Sequence, residues 1–328
     1  MKKWVAVLLV LLFASCEGKK EKMEISFYYW RTVFELTPLE KLYIDELEVQ
    51  RLYVRYFDVG LHEQQPVPVA PVVFNKSPHN LAIIPVVYIK NEVFLRNINT
   101  DSLAGKISAY IKQINDKAGI VTDEIQFDCD WSLESKNNYF QFIRDFKKRH
   151  PRLSATIRLH QVKYPKKTGI PDVEEGVLMY YNMGVIGASG ENSIYDEKIA
   201  HRYIASLRNY SLPLSIALPV FSWGVHIRNH QVTNLIGGLS HNDLSGDGFE
   251  RTGKNRYRVK EDQLFKGRYL AKNDEIKIEE ASADQLKKMV RDIEKNSKER
   301  PKTLIFYDLN ESNLTSYEKE FFKTAGYW

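Results

Sequence analysis

Eight β-rich runs follow one another along this 328-residue chain, and most are separated by a stretch with helical periodicity. Strand side chains alternate between two faces and helical ones repeat every 3.6 residues, so the two patterns separate on inspection. The strand-like runs are residues 25–30, 51–57, 81–88, 124–131, 153–160, 177–181, 214–221 and 303–307. Helices are predicted over 38–48, from 101 or 102 to about 117, over 136–149 and 197–210, from 283 to about 295, and over 315–323. Thr37-Pro-Leu-Glu40 has the form of a capping box with proline at the first helical position. Alternating strands and helices make parallel sheets, so eight such units predict an α/β fold, a (β/α)8 TIM-like barrel over residues 25–328. Residues 65–73, rich in proline and valine, interrupt the alternation, and Pro85 marks an expected bulge. Residues 224–281 hold only short alternating runs and are read as a small α+β insertion after the seventh strand.

The chain opens Met-Lys-Lys, continues with an almost wholly apolar run over 4–12, and then reads Phe13-Ala-Ser-Cys16. This predicts a secretory signal peptide over residues 1–15; the run is shorter than the roughly 20 apolar residues of a membrane-spanning helix. Cysteine directly after Ala-Ser resembles the lipobox of bacterial lipoproteins. That resemblance implies lipidation of Cys16 and a membrane anchor in the bacterial cell envelope; the charged, glycine-containing composition of Glu17–Lys22 reads as a flexible tether, residues 16–24. The formal net charge is +5, of which Lys2 and Lys3 lie in the leader. No Lys/Arg-dense face stands out, which speaks against nucleic acid as a partner. With Cys16 lipidated, Cys129 is the only other cysteine, so neither an internal disulfide nor a cysteine metal site is expected. No cofactor is expected, and His226, His230 and Asp243 lack a metal-ligand spacing. The protein is expected to be a monomer.

The fourth run, Glu124-Ile-Gln-Phe-Asp-Cys-Asp-Trp131, puts Ile125, Phe127 and Cys129 on one face and Gln126, Asp128 and Asp130 on the other. Burying two unpaired carboxylates is costly. Asp128 and Asp130 therefore either face water, or sit in a polar cavity that uses them, or pair with Arg158 as a structural ion cluster. Neighbouring carboxyl groups split their proton affinities, which prepares an acid for glycosidic chemistry. Barrel enzymes place their chemistry at the C-terminal strand ends. Those ends carry Trp30, Arg55, Trp131, Arg158, His160, Tyr181, Asn182, Trp223, Tyr307 and Asp308. Carboxylates, amides and aromatic faces together suit an oligosaccharide or polysaccharide, which presents both hydroxyls and apolar C–H faces. Plainer roles stand beside these: the tryptophans as core, His160 as a hydrogen-bonded interior residue, Tyr181 and Asn182 as strand-end caps, and Arg55 and Arg158 as neutralisers of the acids.

Asp128-Cys-Asp-Trp131 followed by a helix resembles the fourth-strand motif of family 18 glycoside hydrolases, the chitinase-like barrels, which reads Asp-Gly-x-Asp-x-Asp-Trp-Glu. Met179-Tyr-Tyr-Asn182 is similar to their sixth-strand Met-x-Tyr-Asp, and Ala217-Leu-Pro-Val-Phe-Ser-Trp223 with the following insertion matches as well. More closely, Tyr28-Tyr-Trp-Arg31, Leu52–Asp58, Gln126–Trp131, Ser154–Gln161 and Met179–Gly184 look like a family of uncharacterised bacterial lipoproteins. Ser132 stands where the hydrolases carry their general-acid glutamate, and Asn182 where they carry aspartate. Glu134 lies two residues beyond the expected acid.

The resemblance implies a glycoside hydrolase-like protein acting on an envelope or environmental glycan. Asp128 and Asp130 would be its acid centre, with Asp130 as proton donor and Asp58 or Asp308 as the partner carboxylate. Ser132 favours the alternative, a non-catalytic carbohydrate-binding lipoprotein on a degenerate hydrolase barrel. A structural envelope protein without a small ligand is the third possibility.

Overall fold

The computed structural model describes residues 22–78, 80–188 and 190–328. The expected signal peptide, Cys16 and most of the tether lie outside the described residues. Met23 and Glu24, expected in the tether, already belong to the folded body. Met23 is buried and its N–H donates to the Gly326 carbonyl at 2.9 Å, while Glu24 pairs with Thr303.

Eight parallel strands close into a barrel: β1 (Glu24–Tyr29), β2 (Arg51–His62), β3 (Ala82–Ile89), β4 (Ile125–Asp128), β5 (Leu153–Arg158), β6 (Glu175–Met179), β7 (Leu214–Pro219) and β8 (Thr303–Tyr307). Each pairs with its neighbours in chain order, and β1 bonds to both β2 and β8, which leaves no open edge. Strand alternation sorts the side chains into two cores. Phe27, Leu52, Val54, Phe127, Ile157 and Phe306 point outward into a large core. Tyr28, Tyr53, Val86, Val177, Ala217 and Ile305 fill the barrel. Gln126 sits among them, accepting a hydrogen bond from the Tyr28 hydroxyl at 2.6 Å, as the parity of β4 requires.

The helices follow local signals. Pro38–Glu46 begins with the expected capping box: the Glu40 N–H donates to Thr37 Oγ1 at 3.2 Å, and the Thr37 N–H to Glu40 Oε2 at 3.0 Å. Thr100–Ala118 ends on Gly119, whose φ of 66° suits a residue without Cβ. Lys136–Lys147 and Ala283–Asn296 also match their expected positions. The expected 197–210 helix is Glu197–Ile204 followed by a 3-10 turn, and the last divides into Glu311–Thr315 and Lys319–Thr324.

Three local expectations need correction. Residues 65–73 are no mere interruption: Gln65–Val69 turns back against Asp58–His62 as an antiparallel hairpin, an edge position that tolerates Pro66 and Pro68. Pro85 lies in register opposite Val54, and the irregularity falls across the strand pair, between Arg55 and Phe57. The fifth strand stops at Arg158, where the Gln161 side chain accepts from the Arg158 N–H at 2.7 Å and a short helix, Leu159–Lys163, begins.

Between β7 and the Ala283–Asn296 helix, the chain builds a five-stranded antiparallel sheet and a two-stranded ribbon around its own core of Ile236, Leu239, Tyr257, Val259, Ile276 and Ile278. The helical part of this insertion is one 3-10 turn, Asn242–Leu244. Among the described residues no helix is long and apolar enough to cross a membrane.

Candidate active site

The end of β4 delivers its two carboxylates to different environments. Asp128 is buried, and its Oδ1 accepts a hydrogen bond from Thr156 Oγ1 of β5 at 2.6 Å. Burial pushes its carboxyl up to about 6; Arg158 opposes the rise, and the charge of Asp130 adds to it. Asp130 lies just beyond the strand with nearly half of its side chain exposed. Arg158 grips it at two points, Nε to Oδ1 at 2.5 Å and Nη2 to Oδ2 at 2.9 Å. Burial weakens the Arg158 charge, but its bonds to Asp130 outweigh that and hold the guanidinium protonated. The carboxyl that is shifted upward is that of Asp128.

A second ion pair faces the same interior from β2. Arg55 Nε donates to Asp58 Oδ1 at 2.8 Å and its Nη1 to the Ala70 carbonyl at 3.2 Å. Asp58 is near enough to raise the Asp128 carboxyl. Tyr88 at the end of β3 completes the group. Burial, then the charges of Asp128 and Asp130, keep its phenol protonated. Sequence reasoning missed Tyr88 and Thr156, although the inward parity of Ile84 and Val86 along β3 pointed to the former.

Aromatic rings close the barrel beside these acids. Trp30 lies 5.3 Å from Tyr307, Tyr181 lies 5.6 Å from Tyr307, and Phe221 lies 5.2 Å from Trp223, all centroid to centroid. The Trp223 indole N–H donates to Glu279 Oε2 of the insertion at 2.9 Å.

Two expected ligand residues fall elsewhere. Trp131 shares the outward face of Cys129; it stacks on Tyr139 at 5.2 Å, donates to the Thr168 carbonyl at 2.9 Å and belongs to the outer core. Asp308 receives a hydrogen bond from Asn313 Nδ2 at 2.7 Å, and its charged neighbours are Arg31 and Glu40. Burial pushes its carboxyl to about 6 as well, but it does not join the Asp128 group.

A cleft of about 450 Å³ opens over this end of the barrel, lined by Asp130, Arg158, His160, Tyr181, Asn182 and Tyr203 among others. His160 sits exposed on the short helix rather than on a strand, and desolvation by the neighbouring atoms lowers its imidazole pKa. Asn182 holds a left-handed φ of 53° while its N–H donates to the Ile194 carbonyl at 2.8 Å. The N–H of Ser132 donates to Ser135 Oγ at 2.9 Å and to Asn91 Oδ1 at 3.2 Å. Glu134 is exposed, and its hydrogen bond with Ser132 lowers its carboxyl. His226 is engaged inside the insertion, with Nε2 at 2.7 Å from Asp274 Oδ2.

No protein-family model and no curated protein matches this sequence. Solved structures do match it in fold. The spore cortex-lytic enzyme SleL of Bacillus cereus superposes with a TM-score of 0.56 at 13% identity, over 94% of this chain and 75% of that one. A GH18 chitinase of Cycas revoluta, solved with (GlcNAc)4, gives 0.55 at 11% identity, over 92% of this chain and 99% of that one. A chitinase-like agglutinin of Robinia pseudoacacia gives the same values. At such identities the likeness shows the (β/α)8 barrel fold and nothing finer.

Proposed function

We propose that this protein is a carbohydrate-binding lipoprotein on a glycoside hydrolase-like barrel, anchored to the bacterial cell envelope through Cys16. The oligosaccharide occupies the cleft over β4–β6. Arg158, Asp130, His160 and Asn182 hydrogen-bond its hydroxyls there, and the edge of the Tyr181–Tyr307–Trp30 aromatic group borders its C–H faces. The observation that carries this reading is the two-point ion pair between Asp130 and Arg158. It fixes a planar array of donors and acceptors at the mouth. Ser132, at the position where the motif resemblance expects the acid, supports the same reading, as does Glu134 turned to solvent. Among the fold neighbours are a chitinase solved with (GlcNAc)4 and an agglutinin, so this type of barrel occurs both in enzymes and in a protein named for agglutination.

A second reading keeps an enzyme. Asp128, with its carboxyl near 6, is poised between charge states around neutral pH, as a general acid would be. Its burial beneath Asp130 argues against direct contact with a glycosidic oxygen.

Calorimetric titration of the full chain with chitin-type, peptidoglycan-type, plant and host oligosaccharides tests the proposal. At least one should bind, and Arg158→Ala should weaken it about ten-fold or more. Saturable binding that survives Arg158→Ala unchanged would remove the sugar from this cleft.

A further inference from the structure

The chain enters the barrel at its N-terminal face, the end opposite the cleft. Lys22 is exposed there, with its Nζ 3.0 Å from Glu48 Oε2 and 5.8 Å from the ring centroid of Tyr327. The Met23 N–H donates to the Gly326 carbonyl, and the Glu24 N–H to the Lys302 carbonyl at 2.8 Å, just before β8 begins. Lys22 stands six residues after Cys16. A chain of that length spans at most about 20–22 Å. β1 alone rises about 20 Å toward the other face, and the cleft opens beyond it. The reach from Lys22 therefore does not carry Cys16 around the barrel to its mouth. Three apolar features share the N-terminal face with Lys22. Tyr327, beside Lys22, is 60% exposed. Val121 is 94% exposed and lies between Gly119, which ends a helix, and β4, whose first N–H, from Ile125, donates to the Arg152 carbonyl just before β5. Next to the start of β2 and β3, a groove of about 550 Å³ is lined by Leu36, Ile44, Val49 and Leu81 beside Glu48. These features lie under β1, under β2 and β3, and under β4, so they spread across the face. Its charges are mixed: Asp123 pairs with Arg152 at 3.0 Å, and Lys298 and Lys302 flank Glu299.

We infer that the N-terminal face of the barrel is a membrane-contact surface. It rests on the phospholipid headgroups of the leaflet that holds Cys16, with Tyr327 and Val121 at the boundary between headgroups and acyl chains, and the cleft opens away from that bilayer. This goes beyond the sugar-binding reading and rests on the anchor stated with it. Tyrosine suits such a boundary because its ring is apolar and its hydroxyl polar. A short tether keeps the face at high effective concentration beside the bilayer, so two exposed apolar side chains are enough to seat it. With its charges balanced, the face meets the bilayer by apolar contact rather than by attraction to anionic lipid. The glycan that reaches the cleft then stands off from the anchoring leaflet and is not carried on a lipid within it.

The test is site-directed spin labelling of the full chain, expressed with its own leader in a bacterial host and reconstituted on vesicles of phosphatidylethanolamine and phosphatidylglycerol. Cys129 is buried, and acylation occupies Cys16, so the nitroxide goes to one introduced thiol at a time. The positions are Val121→Cys, Tyr327→Cys and, as the reference just past β4 on the cleft side, Leu133→Cys. All three side chains are exposed, so the variants should fold, and melting curves check that. The Val121→Cys and Tyr327→Cys labels should be shielded from a water-soluble nickel chelate about three-fold or more relative to the Leu133→Cys label, and should collide more often with oxygen, as a depth of about 5–10 Å in the interface requires. Labels on the N-terminal face as open to the chelate as the reference, or a reference that is itself the shielded one, would overturn the membrane-contact face while leaving the anchor intact. A Cys16 without an acyl group by mass spectrometry, in a protein that does not float with the vesicles, would overturn the anchor and this inference with it.

Discussion

Arg158 holds Asp130 by two nitrogens while standing close enough to Asp128 to oppose its protonation. One guanidinium thereby separates two carboxyl groups that lie two residues apart on one strand face. Asp130 is at the surface and paired; Asp128 is beneath and carries the raised carboxyl.

Removing that guanidinium should raise Asp128 further. In Arg158→Gln, Asp128 loses a nearby positive charge and faces an unpaired Asp130, and both changes favour the protonated form. Carboxyl-carbon NMR titration should place the Asp128 midpoint above its starting value of about 6. A fall or no change would show that Arg158 does not act on Asp128.

The raised carboxyl of Asp128 also makes stability depend on pH. The folded state holds its proton more tightly than the unfolded state, so stability falls as pH rises from the unfolded value near 3.8 through the folded value of about 6. Above that window the penalty is about 3 kcal/mol, two pKa units at roughly 1.4 kcal/mol each. Asp128→Asn can still accept from Thr156 and carries no charge. It should be stabilised relative to wild type at pH 7 by up to about that amount, with the advantage gone near pH 4. Urea unfolding at the two pH values measures this.

Trp131 belongs to the fold and not to the ligand. Trp131→Ala should cost about 3–5 kcal/mol, as large-to-small changes in a packed core do. Oligosaccharide affinity of the molecules that remain folded should not change. Denaturant titration and calorimetry separate the two effects, and a selective loss of affinity would return Trp131 to the site.

The insertion is tied to the cleft loop by a buried pair. Lys277 Nζ reaches Glu279 Oε1 at 2.6 Å and the carbonyls of Gly187 and Glu191 at 2.8 and 3.0 Å. The same glutamate accepts from Ser193 and from the Trp223 indole. Lys277→Met should cost about 3–5 kcal/mol by leaving Glu279 charged and buried. It should also change Trp223 fluorescence, a readout that general destabilisation of the folded protein does not predict.

Much of this was legible in the chain. The eight strands announced themselves because outward faces such as Phe27, Val54 and Phe127 and inward faces such as Tyr28, Tyr53 and Val86 each obey a period of two. The capping boxes at Thr37 and Ser282 are local hydrogen-bond patterns, and so they too can be read in sequence. Trp131 was misplaced although the same parity rule, carried one residue past Asp130, sends it outward with Cys129. Which carboxylate Arg158 would choose could not be read, because the choice depends on where β5 ends: two residues before expectation, leaving Arg158 at the rim above Asp128.

The central claim is that this barrel holds a glycan without cutting it. The direct measurement is to incubate the full chain at pH 6 with the oligosaccharide it binds most tightly, for many hours, and to follow the sugar by mass spectrometry beside an Asp128→Asn control. The account predicts intact glycan throughout, with wild type and Asp128→Asn indistinguishable. Cleavage products that accumulate with wild type and vanish with Asp128→Asn would contradict it and make Asp128 the acid of a working glycosidase.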